Sequence, residues 1–180
     1  MGFVRQLNER ADRIRDDAFE AFYARTAPAL WGYARRVCGD SALADDIVQE
    51  TFLRYLNNVR PEMPERPRRA FAYKIASRLL VDNIRRHKAV SLETVEEQAA
   101  RDAPLSAHEA LSPDLKRLFV SLKPRDRALL WLAYAEGYSH VEIAEIYGLR
   151  AASVKVLLFR LRRSFAARLR ESGYRPEECP

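Results

Sequence analysis

Ser139-His140-Val141-Glu142-Ile143-Ala144-Glu145-Ile146-Tyr147-Gly148-Leu149, running on into Arg150-Ala151-Ala152-Ser153-Val154-Lys155, reads as two short helices and the turn between them. Ser139 and Glu142 stand at the spacing at which a hydroxyl and a carboxylate reciprocally cap the free amides of a helix start. Ala144 is small enough for a second helix to cross closely, and Gly148 gives the backbone freedom the turn needs. This is the pattern of a helix-turn-helix, whose second helix lies in the DNA major groove with its early residues at base edges. An ordinary helical hairpin shares the apolar period, so charge has to separate the two. Between 150 and 170 the charged residues are Arg150, Lys155, Arg160, Arg162, Arg163, Arg168 and Arg170, without one acid.

At about 100° per residue, Val154, Leu157, Leu158, Leu161 and Phe165 fall on one side and form the packed face. Ala152, Lys155, Val156, Phe159, Arg160 and Arg163 then point outward, while Arg168 and Arg170 complement the dipole at the helix end. Upstream, prolines at plausible helix starts and glycines just past helix ends predict helices over Pro113 to Leu122, Pro124 to Glu136 and Ser139 to Tyr147, with a last one from Ala152 to Ser172.

Apolar positions recur with the helical period in the first half too. A helix from Asp16 to Val37 turns Phe19, Phe22, Tyr23, Leu30, Tyr33 and Val37 inward, with Pro28 restarting or kinking it. Gly39 ends it, and Ser41 caps a second helix reaching Leu56. That helix packs Leu43, Ile47, Val48, Thr51, Phe52 and Tyr55 and leaves Asp45, Asp46, Gln49 and Glu50 outward. Asn57 to Pro67 breaks the pattern with three prolines, and a third helix spans Arg68 to Arg86 with Phe71, Ile75, Ala76, Leu79 and Ile84 apolar. From Ser91 to Asp114 the composition turns acidic, with Arg101 the only fixed positive charge. The expected fold is therefore all-α, in two small helical domains joined by an acidic linker. Their bounds are 16–90 and 113–173, with the linker over 91–112, an N-terminal extension over 1–15 and a tail over 174–180.

Over 180 residues, 31 Lys+Arg against 25 Asp+Glu give a net charge of +6, which suits a phosphate-bearing partner. No apolar run approaches the roughly 18 residues of a membrane helix, and Met1 to Arg15 is charged throughout, so a cytoplasmic protein without membrane insertion is expected. Cys38 and Cys179 match no metal or disulfide spacing; Cys38 is expected to be a buried small hydrophobe. His87, His108 and His140 lack partners at catalytic or metal-binding spacing. No catalytic residue, metal, cofactor or small-molecule substrate is expected.

Two blocks carry a family resemblance. Leu122-Lys123-Pro124-Arg125-Asp126-Arg127 through Arg163 resembles the fourth conserved region of bacterial extracytoplasmic-function sigma factors. Asp17 to Lys88 resembles their second region, through Asp45-Asp46-Ile47-Val48-Gln49-Glu50-Thr51-Phe52 and Phe71-Ala72-Tyr73-Lys74-Ile75-Ala76-Ser77-Arg78. The helix-turn-helix alone is shared with two-component regulators; the Asp-Asp-x-x-Gln-Glu block discriminates. The resemblance implies core RNA polymerase, promoter DNA and an anti-sigma factor as partners. It implies that Asp45, Asp46, Gln49, Glu50 and Arg54 dock on the clamp helices of the polymerase. For the minus-10 element it implies Asn57, Asn58, Arg60, Arg69, Tyr73, Lys74, Arg78, Arg85 and Arg86. It places the minus-35 element on the last helix, whose start and outward face offer Arg150, Ala152, Ser153, Lys155, Val156, Phe159, Arg160 and Arg163. The chain departs from the family in carrying Phe71 and Arg78 where Trp and Asn are usual. It also has Arg150-Ala151 in place of a Ser/Thr cap, and Val156, Leu157 and Phe159 where polar or basic residues are frequent. The alternative, a helix-turn-helix regulator acting without polymerase, needs a receiver or ligand-binding domain, and the first ninety residues carry the signature of neither.

Overall fold

The computed structural model describes residues 2–58, 63–90 and 113–171, and every regular element among them is a helix. In chain order these are α1 (Gly2–Cys38), α2 (Ser41–Asn58), α3 (Glu65–Val90), α4 (Pro113–Val120), α5 (Pro124–Tyr134), α6 (His140–Tyr147) and α7 (Ala151–Glu171). The acidic stretch 91–112 and the tail 174–180 lie outside the described residues.

Several expectations about the first half are corrected. α1 begins at Gly2, not Asp16, and runs on through Pro28 as one helix. Pro28 costs one intrahelical hydrogen bond, but its ring sits on the exposed side while Phe22, Thr26, Ala27 and Leu30 around it are buried, so packing carries the helix across. The cap of α2 is Asp40, not Ser41: its carboxylate accepts from the Leu43 amide at 3.2 Å, and its carbonyl from the Ala44 amide at 3.1 Å. A carboxylate there also meets the positive end of the helix dipole. α3 begins at Glu65 rather than Arg68, so Pro67 lies in its first turn, where amides have no intrahelical partner to lose. Gly39, at φ 84°, ends α1 as expected.

α1, α2 and α3 pack around an aromatic cluster. The Phe22 and Tyr55 rings stack at 5.0 Å, and Phe52 meets Phe22 edge-on at 6.3 Å. Tyr23, expected inward, is 42% exposed and lies on the rim with its ring 4.6 Å from Phe52. In the second half, Leu129, Leu132, Ile143, Ile146, Val154 and Leu158 form the apolar centre.

The two helical groups are docked on each other, α1 against α5 and α3 against α6. The Tyr33 hydroxyl, fully buried, shares hydrogen bonds with Ser77 Oγ of α3 at 2.8 Å and with the Tyr147 hydroxyl of α6 at 2.9 Å. Tyr73 meets Tyr138 edge-on at 5.5 Å, and the Arg36 guanidinium lies 4.2 Å from the Trp131 ring centroid. Tyr33→Phe leaves two hydroxyls of this seam short of a partner and is expected to lower stability by about 1–3 kcal/mol in urea unfolding. Tyr147→Phe added to it should then cost less than Tyr147→Phe alone, because the shared bond is already gone; full additivity speaks against the shared bond.

Candidate polymerase and nucleic-acid interfaces

The helix-turn-helix is built as its spacing predicts. Ser139 Oγ accepts from the Glu142 amide at 3.3 Å, and Glu142 Oε2 accepts from the Ser139 amide at 2.8 Å, closing the capping box of α6. Gly148 takes the left-handed conformation, φ 65° and ψ 38°, and turns the chain toward α7. There Val154 and Leu158 are buried, with Leu157, Leu161 and Phe165 packed at the edge of the core. Arg150, Ala152, Ser153, Lys155, Val156, Phe159, Arg160 and Arg163 are all exposed, Phe159 to 61% and Val156 to 47%. The helix therefore offers two apolar side chains within a field of cations.

α2 offers the opposite chemistry. Asp45, Asp46 and Gln49 are exposed and Glu50 is half-buried, while Ile47, Val48, Thr51, Phe52 and Tyr55 on the reverse face are buried. Asp45 accepts from the Trp31 indole N–H at 2.7 Å, and Glu50 pairs with Arg54 one turn on at 2.6 Å. Two further exposed side chains, Leu53 at 60% and Leu56 at 51%, continue the same outer face one and two turns beyond Gln49. The i+4 and i+7 spacing from Gln49 is the signal in the sequence that finds them. An acidic face with exposed leucines suits a protein partner better than a phosphate backbone.

The residues expected at the minus-10 element divide. Asn57 and Asn58 are exposed at the end of α2, and Asn58 Nδ2 donates back to the Arg54 carbonyl at 2.8 Å. Arg78, Arg85 and Arg86 are exposed on α3 and Lys74 is half-buried; Arg60 lies outside the described residues. Tyr73, expected at the minus-10 element, is a core residue instead. It is fully buried, edge-on to Tyr33 at 5.2 Å, and burial pushes its phenol far above the ordinary range. Arg69 is not free for DNA: it pairs with Glu136, a carboxylate only 6% exposed whose other oxygen accepts from the Trp131 indole at 2.9 Å. Beside it Arg66 forks onto both carboxylate oxygens of Glu142. Cys38, expected buried, is half-buried, and its thiol donates to the Asp40 carbonyl at 3.2 Å. Among the described residues no group of His, Cys, Asp and Glu could hold a metal ion, and no helix is long and apolar enough to cross a membrane.

Hydrogen bonding from the Arg66 guanidinium, with the Ser139 backbone and hydroxyl adding, holds the Glu142 carboxyl at about 2 against an ordinary 4.5. A carboxyl depressed on folding stabilises the folded chain fully above its ordinary value and loses that contribution as pH falls toward the folded value. Acidification from pH 4.5 toward 2 should thus loosen the α6 start and its contact with α3. Glu142→Gln should remove this share of the acid dependence of stability, followed by circular dichroism; an unchanged acid profile refutes the assignment.

The sigma-70 region 2 family matches residues 8–90, and the sigma-70 region 4 family matches residues 105–165. The ECF RNA polymerase sigma factor SigL of Mycobacterium tuberculosis is 30% identical over 161 residues, covering 85% of this chain and 89% of that protein. The RNA polymerase sigma factor CarQ of Myxococcus xanthus is 28% identical over 152 residues, 81% of this chain and 87% of its own. In fold, the chain is similar to the sigma factor RpoE in its complex with the anti-sigma factor NepR from Bartonella quintana. That likeness has a TM-score of 0.63 at 20% identity and covers 85% of this chain and 97% of that one. With both regions matched in order and SigL aligned over most of its length, this chain belongs to the extracytoplasmic-function (ECF) family of RNA polymerase sigma factors.

Proposed function

We propose that this sigma factor docks on core RNA polymerase through α2, holds the opened minus-10 strand with α3 and the segment before it, and reads the minus-35 element with α7. The observation that carries this division is the contrast between two exposed helix faces, acidic with leucines on α2 and basic with Val156 and Phe159 on α7. A single duplex-binding regulator has no use for the first, because a carboxylate-rich face repels phosphate. The region 2 match over 8–90 likewise disfavours a regulator that works without polymerase. Residues 16–90 and 113–173 serve as the two working domains, with 91–112 as the acidic linker, 1–15 as an N-terminal extension and 174–180 as a tail. The chain directs the chemistry of polymerase, catalyses nothing itself, needs no cofactor, and acts in the cytoplasm where polymerase is. The structure similar in fold is a complex with an anti-sigma factor; a masking partner of that class is proposed here too.

Asp46→Arg with Glu50→Arg places two cations on the α2 face without touching the buried one. Capture of core polymerase and run-off transcription, from a promoter that the holoenzyme selects out of genomic fragments, should collapse while helicity is retained. Unchanged capture of core enzyme overturns the α2 assignment.

Val156 and Phe159 are suited to thymine, whose methyl is the one apolar feature of the major groove. Uracil in place of thymine at one or two upstream-element positions should weaken holoenzyme binding by on the order of 1 kcal/mol, within the usual range for a mismatched base pair. Phe159→Ala or Val156→Ala should abolish the response there. A wild-type holoenzyme indifferent to every such replacement shows that these side chains do not read methyl groups.

A further inference from the structure

Arg66, Arg69, Tyr73 and Ser77 recur at the helical spacing and form one stripe of α3, and all four face the C-terminal helices. Ser77 bonds the Tyr33 hydroxyl, which in turn bonds Tyr147, and Tyr73 meets Tyr138. Arg69 is taken by Glu136 and Arg66 by both oxygens of Glu142, with the Gly137 carbonyl accepting a further bond from Arg66 at 3.2 Å. Both carboxylates are also held by groups of their own half. Glu136 is almost fully buried and held from its other side by the Trp131 indole, and Glu142 is oriented by its own capping box. A carboxylate seated in a guanidinium fork occupies the same donors that a phosphate takes. Meanwhile the outward residues of α2 and α7 remain largely open. The docked chain thus leaves the surfaces proposed for polymerase and the minus-35 element available, and fills only the cationic stripe of α3.

We propose that Arg66 and Arg69 form a phosphate site for single-stranded DNA, and that Glu142 and Glu136 occupy it as internal stand-ins while α3 and α6 are docked. Strand loading and parting of the seam are then a single exchange. This rests on the reading of α3 as the strand-holding helix. Because the strand and the carboxylates compete for the same donors, each weakens the other by the same factor, and the docked fraction lowers the apparent affinity for DNA.

The test uses the full chain and a fluorescein-labelled single-stranded oligonucleotide of mixed sequence at low salt. In Glu136→Gln with Glu142→Gln each side chain keeps one accepting oxygen in place of two, and glutamine serves in a capping box, so helicity should hold. Glu145→Gln with Glu171→Gln makes the same charge change at exposed positions off this seam. The seam variant should bind about fivefold tighter or more than wild type, with a larger radius of gyration by small-angle scattering; the control should shift by no more than about twofold. Equal affinity in the two variants, or a gain without expansion, overturns the exchange. Adding Arg66→Ala and Arg69→Ala to the seam variant should weaken its binding. If those alanines weaken binding although the glutamines brought no gain, α3 holds the strand and only the exchange fails. If the alanines change nothing, the reading of α3 itself falls.

Discussion

The docking of the two helical groups centres on the buried hydroxyl of Tyr33. It sits on α1 with no exposure to solvent, so its hydrogen-bonding capacity has to be met inside the protein. Ser77 of α3 meets it from the same half and Tyr147 of α6 from the other. An unpaired phenol at that depth is costly, whereas the bonded one ties three helices to one point. Leu30, Ala76 and Ile146 belong with Tyr33 to one apolar core that spans both halves.

Around that point the polar groups are used more than once. Glu142 closes the capping box of the helix-turn-helix and at the same time receives Arg66 from α3. Glu136 receives Arg69 and the Trp131 indole, while the Trp131 ring carries Arg36 on its face. The exposed Arg66 pair contributes little to stability by itself. The buried carboxylate of Glu136 is different, since removing its partner leaves a charge inside the protein without compensation. The seam therefore combines a buried charge that Arg69 compensates only when docked with a surface pair that salt and competing anions weaken. That combination makes an interface specific in geometry and moderate in strength.

Much was legible in the residues alone because the signals were local. The capping box, the left-handed Gly148, the packed face of α7 and the exposed faces of α2 and α7 all follow from spacing within one or two turns. Errors arose where a local rule met a tertiary compensation. Pro28 suggested a kink, yet burial on the opposite side of α1 keeps the helix whole. The start of α3 was set too late because Pro67 was taken as a breaker rather than a first-turn residue. Tyr23 was placed inside by period, although its ring lies at the rim of the cluster. Tyr73 and Arg69 were assigned to DNA on the family's pattern, and neither side chain is free in the docked chain.

By itself the sequence determined helix type, the helix-turn-helix, the sign of each exposed face and the family, since each of these is written in short-range periodicity, capping and charge. Only the tertiary structure decided which cations of α3 are open and which are held. Arg66 and Arg69 look no different in sequence from Arg78, Arg85 and Arg86. What separates them is that Glu142 and Glu136, some seventy positions away, come to lie opposite the first two. Contacts of such separation follow from how two amphipathic surfaces pack, and no local period encodes that.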